Sequence, residues 1–74
     1  MSDEEHDLMV AKKHYYRVLY KTTKADLPKE LHKAEERFQA AVIARRYNQL
    51  NCYARVLALR QLCDERGVEY ETTL

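Results

Sequence analysis

A single glycine (Gly67), a single proline (Pro28), two cysteines and no tryptophan occur in 74 residues. Strand-rich folds spend glycine and proline on their many turns, so this shortage excludes a sandwich or barrel and leaves helices. Between Arg37 and Cys63 the chain also lacks acid, lysine, glycine and proline altogether, while Arg37, Arg45, Arg46, Arg55 and Arg60 all fall there. No CxxC, HxxxH or HxxxC spacing exists, which removes the usual zinc patterns. No glycine-rich loop is present to cradle phosphate, and no nucleophile stands beside an evident base. His32 with Glu35 or Glu36 is one helical turn apart, the spacing of an acid–base pair but equally of an ordinary surface pair. The expectation is a protein that is not an enzyme, with no cofactor, no metal and no small-molecule substrate.

Long apolar runs are missing too. Nothing approaches the roughly 18 residues of a membrane span, and the first residues are acidic rather than the basic start of a signal peptide. A soluble cytoplasmic protein without membrane contact is expected. Cys52 and Cys63 are eleven residues apart. On one continuous helix that is roughly 16 Å, beyond the roughly 7 Å Cα limit of a disulfide, so both read as small buried hydrophobes.

What is present is charge in blocks. Residues 1–11 hold Asp3, Glu4, Glu5 and Asp7 without a base; residues 12–60 hold twelve bases against four acids; residues 61–74 hold Asp64, Glu65, Glu69 and Glu71 against Arg66. The total is only +1. An acid–base–acid chain of near-zero net charge pairs with itself or with a partner's field more readily than with any polyanion.

The punctuation predicts helix ends. Ser2-Asp3-Glu4-Glu5 fits a capping box, and helix 1 then runs from about 3 to about 22 with Leu8, Ala11, Tyr15, Val18, Leu19 and Thr22 on one face. Met9, Tyr16 and Tyr20 make a secondary stripe; tyrosine suits such half-buried helix contacts. The break at Thr22–Pro28 is the clearest in the chain, with Asp26 placed to cap helix 2 and Pro28 in its first turn. From there no strong breaker occurs until Arg66-Gly67-Val68. That triplet reads as a Schellman stop, with Gly67 left-handed and Val68 folded back on Cys63. A helix from about 27 to about 66 is long, and its apolar stripe (Leu31, Ala34, Phe38, Ala41, Val42, then Cys52, Val56, Leu59, Cys63) keeps phase throughout. Asn48 or Asn51 is the place where it would end and restart. The predicted fold is all-α: one small helical domain over 1–74, a helical hairpin with a short first helix and a long second one. A break near 47–51 turns it into a three-helix bundle. Residues 68–74 form a short C-terminal tail.

A second stripe, Ile43, Leu50 and Leu57 with Tyr47 and Ala54, recurs every seven residues about 120° from the first. Helix 1 covers only half of the long form, so these residues are the candidate partner or dimer interface; in a three-helix bundle they are core instead. Arg45, Arg46, Arg55 and Arg60 are the candidate polyanion contacts, although the helical wheel spreads them around the axis where a groove-reading helix gathers its bases. Only a bend near Asn48 regroups them. Leu19-Tyr20-Lys21 resembles the leucine-tyrosine-arginine signature of small helical mitochondrial assembly proteins, with lysine in third place and without their distal phenylalanine pattern. No residue role follows from that likeness. Thr72-Thr73-Leu74 matches the C-terminal pattern captured by PDZ domains, a three-residue signal that chance supplies often, and Glu69-Tyr70-Glu71 reads as a frayed end. The expected function is a small non-enzymatic regulatory or adaptor protein acting through helix-mediated protein–protein contact, as a homodimer. The alternative is a nucleic-acid-associated protein using the arginine-rich second helix.

Overall fold

The computed structural model describes residues 3–71. Three α-helices follow one another, α1 (Asp3–Leu19), α2 (Leu27–Ile43) and α3 (Gln49–Glu65), and no strand occurs among the described residues. The all-α expectation holds. The long second helix does not: it is cut into α2 and α3 by the turn at residues 44–48. A continuous helix of that length needs roughly 60 Å, whereas the largest dimension of the molecule is 32 Å.

The cut uses backbone chemistry with no glycine. Ala44 ends α2, Arg45 takes a left-handed φ of 52°, and the Arg46 and Arg45 amides donate to the Ala41 and Val42 carbonyls at 2.9 and 3.2 Å. This is a Schellman pair with arginine at the position glycine usually fills. A side chain there costs about 1–2 kcal/mol. Folding α3 back on α2 buries Leu31, Val56, Leu59 and Cys63 almost completely, and each large apolar side chain contributes about 1.5–3 kcal/mol. Burial therefore outweighs the strain. The second stop forms as its sequence suggests: Gly67 has φ 66°, the Val68 amide donates to the Cys63 carbonyl at 2.8 Å, and Val68 packs on the core.

Other expectations shift at their edges. Helix α1 ends at Leu19, where the Thr22 amide already donates to the Leu19 carbonyl, and Val18 points outward. Asp26 precedes α2 but makes no side-chain cap; the Thr23 hydroxyl instead accepts from the Asp26 amide at 3.3 Å. The capping box rests on Ser2, which lies outside the described residues, as do Thr72, Thr73 and Leu74. Residues 68–71 are no loose tail, since Val68 and Tyr70 pack on the core and Glu69–Glu71 run beside Pro28 and His32.

Helix α3 lies in the middle. Tyr16 near the end of α1 meets Glu65 near the end of α3, so these two run parallel; Phe38 meets Tyr53 at 5.1 Å between ring centroids, near the end of α2 and the start of α3, so those run antiparallel. Both α1 and α2 pack on α3, but no Cα of α1 comes within 8 Å of α2. The result is an open three-helix bundle, 17 Å across its thinnest dimension. The central helix is apolar on both flanks because it is covered from both. Leu19, Leu27, Leu31, Ala34, Val56, Leu59, Leu62 and Cys63 form the core.

Candidate functional site

The turn at residues 44–48 redistributes every residue that the sequence offers as a candidate. Leu50 lies in a hollow against Val10, Ala11 and His14 of α1, Gln61 in another against Met9, Lys12 and Tyr16, and Glu65 accepts the Tyr16 hydroxyl at 2.6 Å. The helical period puts Ala54 and Ala58 between these points, and both are fully buried. The seven-residue stripe is therefore split. Leu50 and Ala54 belong to the seam with α1 and Leu57 is half-buried, as a bundle requires, while Ile43 and Tyr47 stay outside at the α2–α3 corner with 83% and 103% exposure.

That corner is a place where chemistry is left open. Val42 joins Ile43 and Tyr47 as exposed apolar surface, and Arg45 and Arg46 stand beside them without a carboxylate partner among the described residues. The α1 N-terminus, with Asp3, Glu4 and Glu5 in its first turn, lies at the same end of the bundle because α1 runs parallel to α3.

Another such place is the groove between α1 and α2, floored by α3. It has a volume of about 250 Å³ and is lined by Tyr15, Ala34, Arg37, Asn48, Asn51, Cys52 and Arg55. The separation of α1 from α2 creates it, and the bend after Ile43 brings Arg37 of α2 and Arg55 of α3 to its lining. Arg55 lays its guanidinium 5.6 Å from the centre of the Tyr15 ring. At that distance the contact is a cation–π one, and the guanidinium N–H groups remain able to donate. Neither Arg37 nor Arg55 has a carboxylate partner among the described residues. Asn48 begins α3 without capping it by its side chain, its carboxamide oxygen is buried without a hydrogen bond, and no acid stands in the first turn. The positive end of the α3 dipole thus adds to the same field.

The remaining candidates are engaged or solvated. Arg60 is half-buried, already has a partner within the chain, and stands near Tyr70 on another side of α3. Arg45, Arg46, Arg55 and Arg60 consequently share no single face. Arg66 donates to the Thr22 and Tyr20 carbonyls and lies 5.1 Å from the Tyr20 ring centre, tying the α1–α2 turn to the end of α3. His32 Nε2 lies 2.9 Å from Glu36 Oε1, with both side chains exposed. No group of three or more metal-ligating side chains occurs among the described residues, and no described helix is long and apolar enough to cross a membrane. Cys52 is half-buried and Cys63 buried, both free thiols. Sequence reasoning missed Arg37 and Tyr15 as groove residues because their neighbourhood arises only once the second helix folds back. The available signal was Asn48 behind a run of residues with little to bury.

Compared with protein-family models, curated proteins and solved structures, the chain matches none. The likeness at Leu19-Tyr20-Lys21 stays confined to those residues, of which Leu19 is core and Tyr20 sits under Arg66.

Proposed function

We propose that the chain is a small non-enzymatic regulatory or adaptor protein that works by helix-mediated protein–protein contact, and that its first partner is a second copy of itself. The observation that carries this reading is the exposed corner of Ile43 and Tyr47, flanked by Arg45 and Arg46. Tyrosine and arginine around an aliphatic residue are the types that dominate binding hot spots. Self-association is favoured over a foreign partner by the hinge. The apolar stripe keeps its helical phase across residues 44–48, and Arg45 is strained in the closed turn. Straightening that turn joins α2 to α3 as one long helix, relieves the strain in both chains, and lets each α3 fill the place between α1 and α2 of the other. Every core contact is kept, and Ile43 and Tyr47 of the two chains meet where the hinges cross. Helix exchange of this kind opposes only the entropy of association, so it rises with concentration.

Light scattering over a concentration series tests it. Wild type should shift toward dimer as concentration rises. Arg45→Gly, which relaxes the closed turn, and Ile43→Glu should both lower the dimer fraction. A chain that stays monomeric at the highest concentration reached, or a dimer indifferent to both substitutions, removes the proposal. The unpaired Arg45 and Arg46 support a second reading, a nucleic-acid-associated protein. Such a complex should weaken steeply between about 50 and 200 mM salt, and its absence at low salt ends that reading.

A further inference from the structure

We infer that the groove between α1 and α2 is a binding site for a compact phosphoryl anion, the head of a phosphate monoester or free phosphate. Two guanidiniums without carboxylate partners, Arg37 and Arg55, stand on one cavity of about 250 Å³. A surface arginine without a pair is ordinary. Two that converge on a hollow, in a stretch of chain without a single acid between residues 37 and 63, concentrate positive potential where low-dielectric walls focus it. The centre of the Tyr15 ring lies 5.6 Å from the Arg55 guanidinium, a cation–π contact that favours keeping the cation at the groove and leaves its N–H edge able to donate. Such an edge matches phosphate oxygens in bidentate fashion. Asn48 and Asn51 line the same space, and their carboxamide N–H groups are what they can offer an anion; the Asn48 oxygen, buried without a hydrogen bond, is an acceptor and adds nothing to anion binding. Asp7 lines the adjoining hollow, not this one.

Size selects the ligand class. Pockets for drug-sized molecules run about 300–1,000 Å³, so this groove takes an anionic headgroup while the rest of the ligand stays outside. Charge favours the doubly charged phosphoryl group over a carboxylate, since two forks are present and each can donate to a pair of oxygens. Arg45 and Arg46 do not line this groove and are not part of the site.

The test is amide NMR of the full chain titrated with inorganic phosphate, with glycerol phosphate and with a short single-stranded oligonucleotide, against chloride at equal ionic strength. Saturable shifts at Arg37, Asn48, Asn51 and Arg55 are expected with both phosphate probes. Binding by free phosphate alone identifies it as the ligand; tighter binding of the monoester identifies the headgroup. Arg37→Gln, at an exposed position that the fold does not need, should weaken binding about tenfold or more. Arg55→Lys keeps the charge but loses the fork and should weaken it similarly. Occupancy should also slow alkylation of Cys52 on the groove wall. Shifts that never saturate, that chloride reproduces, or that survive Arg37→Gln overturn the site, and an oligonucleotide that binds where both phosphate probes fail overturns the ligand class. The titration is run at a concentration where light scattering reads monomer, because helix exchange straightens residues 44–48 and would rebuild the groove from two chains; failure of the site is then distinguishable from failure of the dimer.

Discussion

At the scale of the residue, protonation is where packing leaves its clearest mark. The Tyr16 hydroxyl donates to Glu65, and that hydrogen bond, ahead of partial desolvation and the carboxylate's charge, raises its pKa above the ordinary 10.0. Burial raises the Cys63 thiol above 9.0, with Asp64 adding to it, and burial followed by Asp64 raises Tyr70. All three groups are neutral when protonated. Unfolding lets each release its proton at a lower pH than the folded chain does, so in the alkaline range the unfolded state binds fewer protons and stability falls as pH climbs. The support is fully present below the unfolded values and is lost as pH passes the folded ones. Urea midpoints followed from pH 7 upward should therefore hold level and then decline above pH 9 to 10. Tyr16→Phe should lower the neutral midpoint slightly and flatten part of the decline; an unchanged alkaline slope would show that the Tyr16–Glu65 bond does not persist in solution.

The elements differ in how openly their sequence declares them. Helix α1 and the start of α2 were legible from the dense polar run at Thr22–Asp26 and from Pro28, and the stop at Gly67 was legible down to Val68 folding back on Cys63, because glycine there admits a single reading. The stop at Arg45 was not, since arginine carries no left-handed signal and the apolar phase continues through it. Only the gain from burying α3 beneath α2 forces the turn, and that gain is a property of the whole chain rather than of residues 44–48. The groove inherited this difficulty, as Arg37 and Arg55 become neighbours of one cavity only after the turn closes. Asp26 leaving α2 without a side-chain cap, while its own amide donates to the Thr23 hydroxyl, is a smaller case, decided by local geometry. The turn yields its own prediction. Arg45→Gly should stabilise the closed monomer by about 1 kcal/mol, read as a higher denaturant midpoint at unchanged slope, because glycine meets no penalty at positive φ. A midpoint that falls instead would mean that Arg45 does not hold the left-handed position in solution.

For the whole molecule, the central place of α3 sets how much a single side chain matters. The radius of gyration is 12.1 Å, near the roughly 11 Å of a compact chain this long, yet α1 and α2 do not close on each other. All close backbone packing between helices therefore involves α3. Stability of about 0.05–0.15 kcal/mol per residue gives a chain of this size only about 4–11 kcal/mol in total. Leu59 is fully buried in the cluster that joins Leu19 of α1 to Leu27 and Leu31 of α2. Truncation of such a leucine costs about 2–5 kcal/mol. Leu59→Ala should thus consume a large fraction of the total and lower the thermal midpoint by about 8 °C or more, at about 4–8 °C per kcal/mol for a domain of this length. Ile43→Ala, at the exposed corner, removes a similar side chain from water-facing surface and should leave the midpoint of the dilute monomer nearly unmoved. Calorimetry on the pair separates the two roles. An equal loss from both would mean that Ile43 is already covered, and a small loss from Leu59→Ala would mean that α3 is not the element on which α1 and α2 depend.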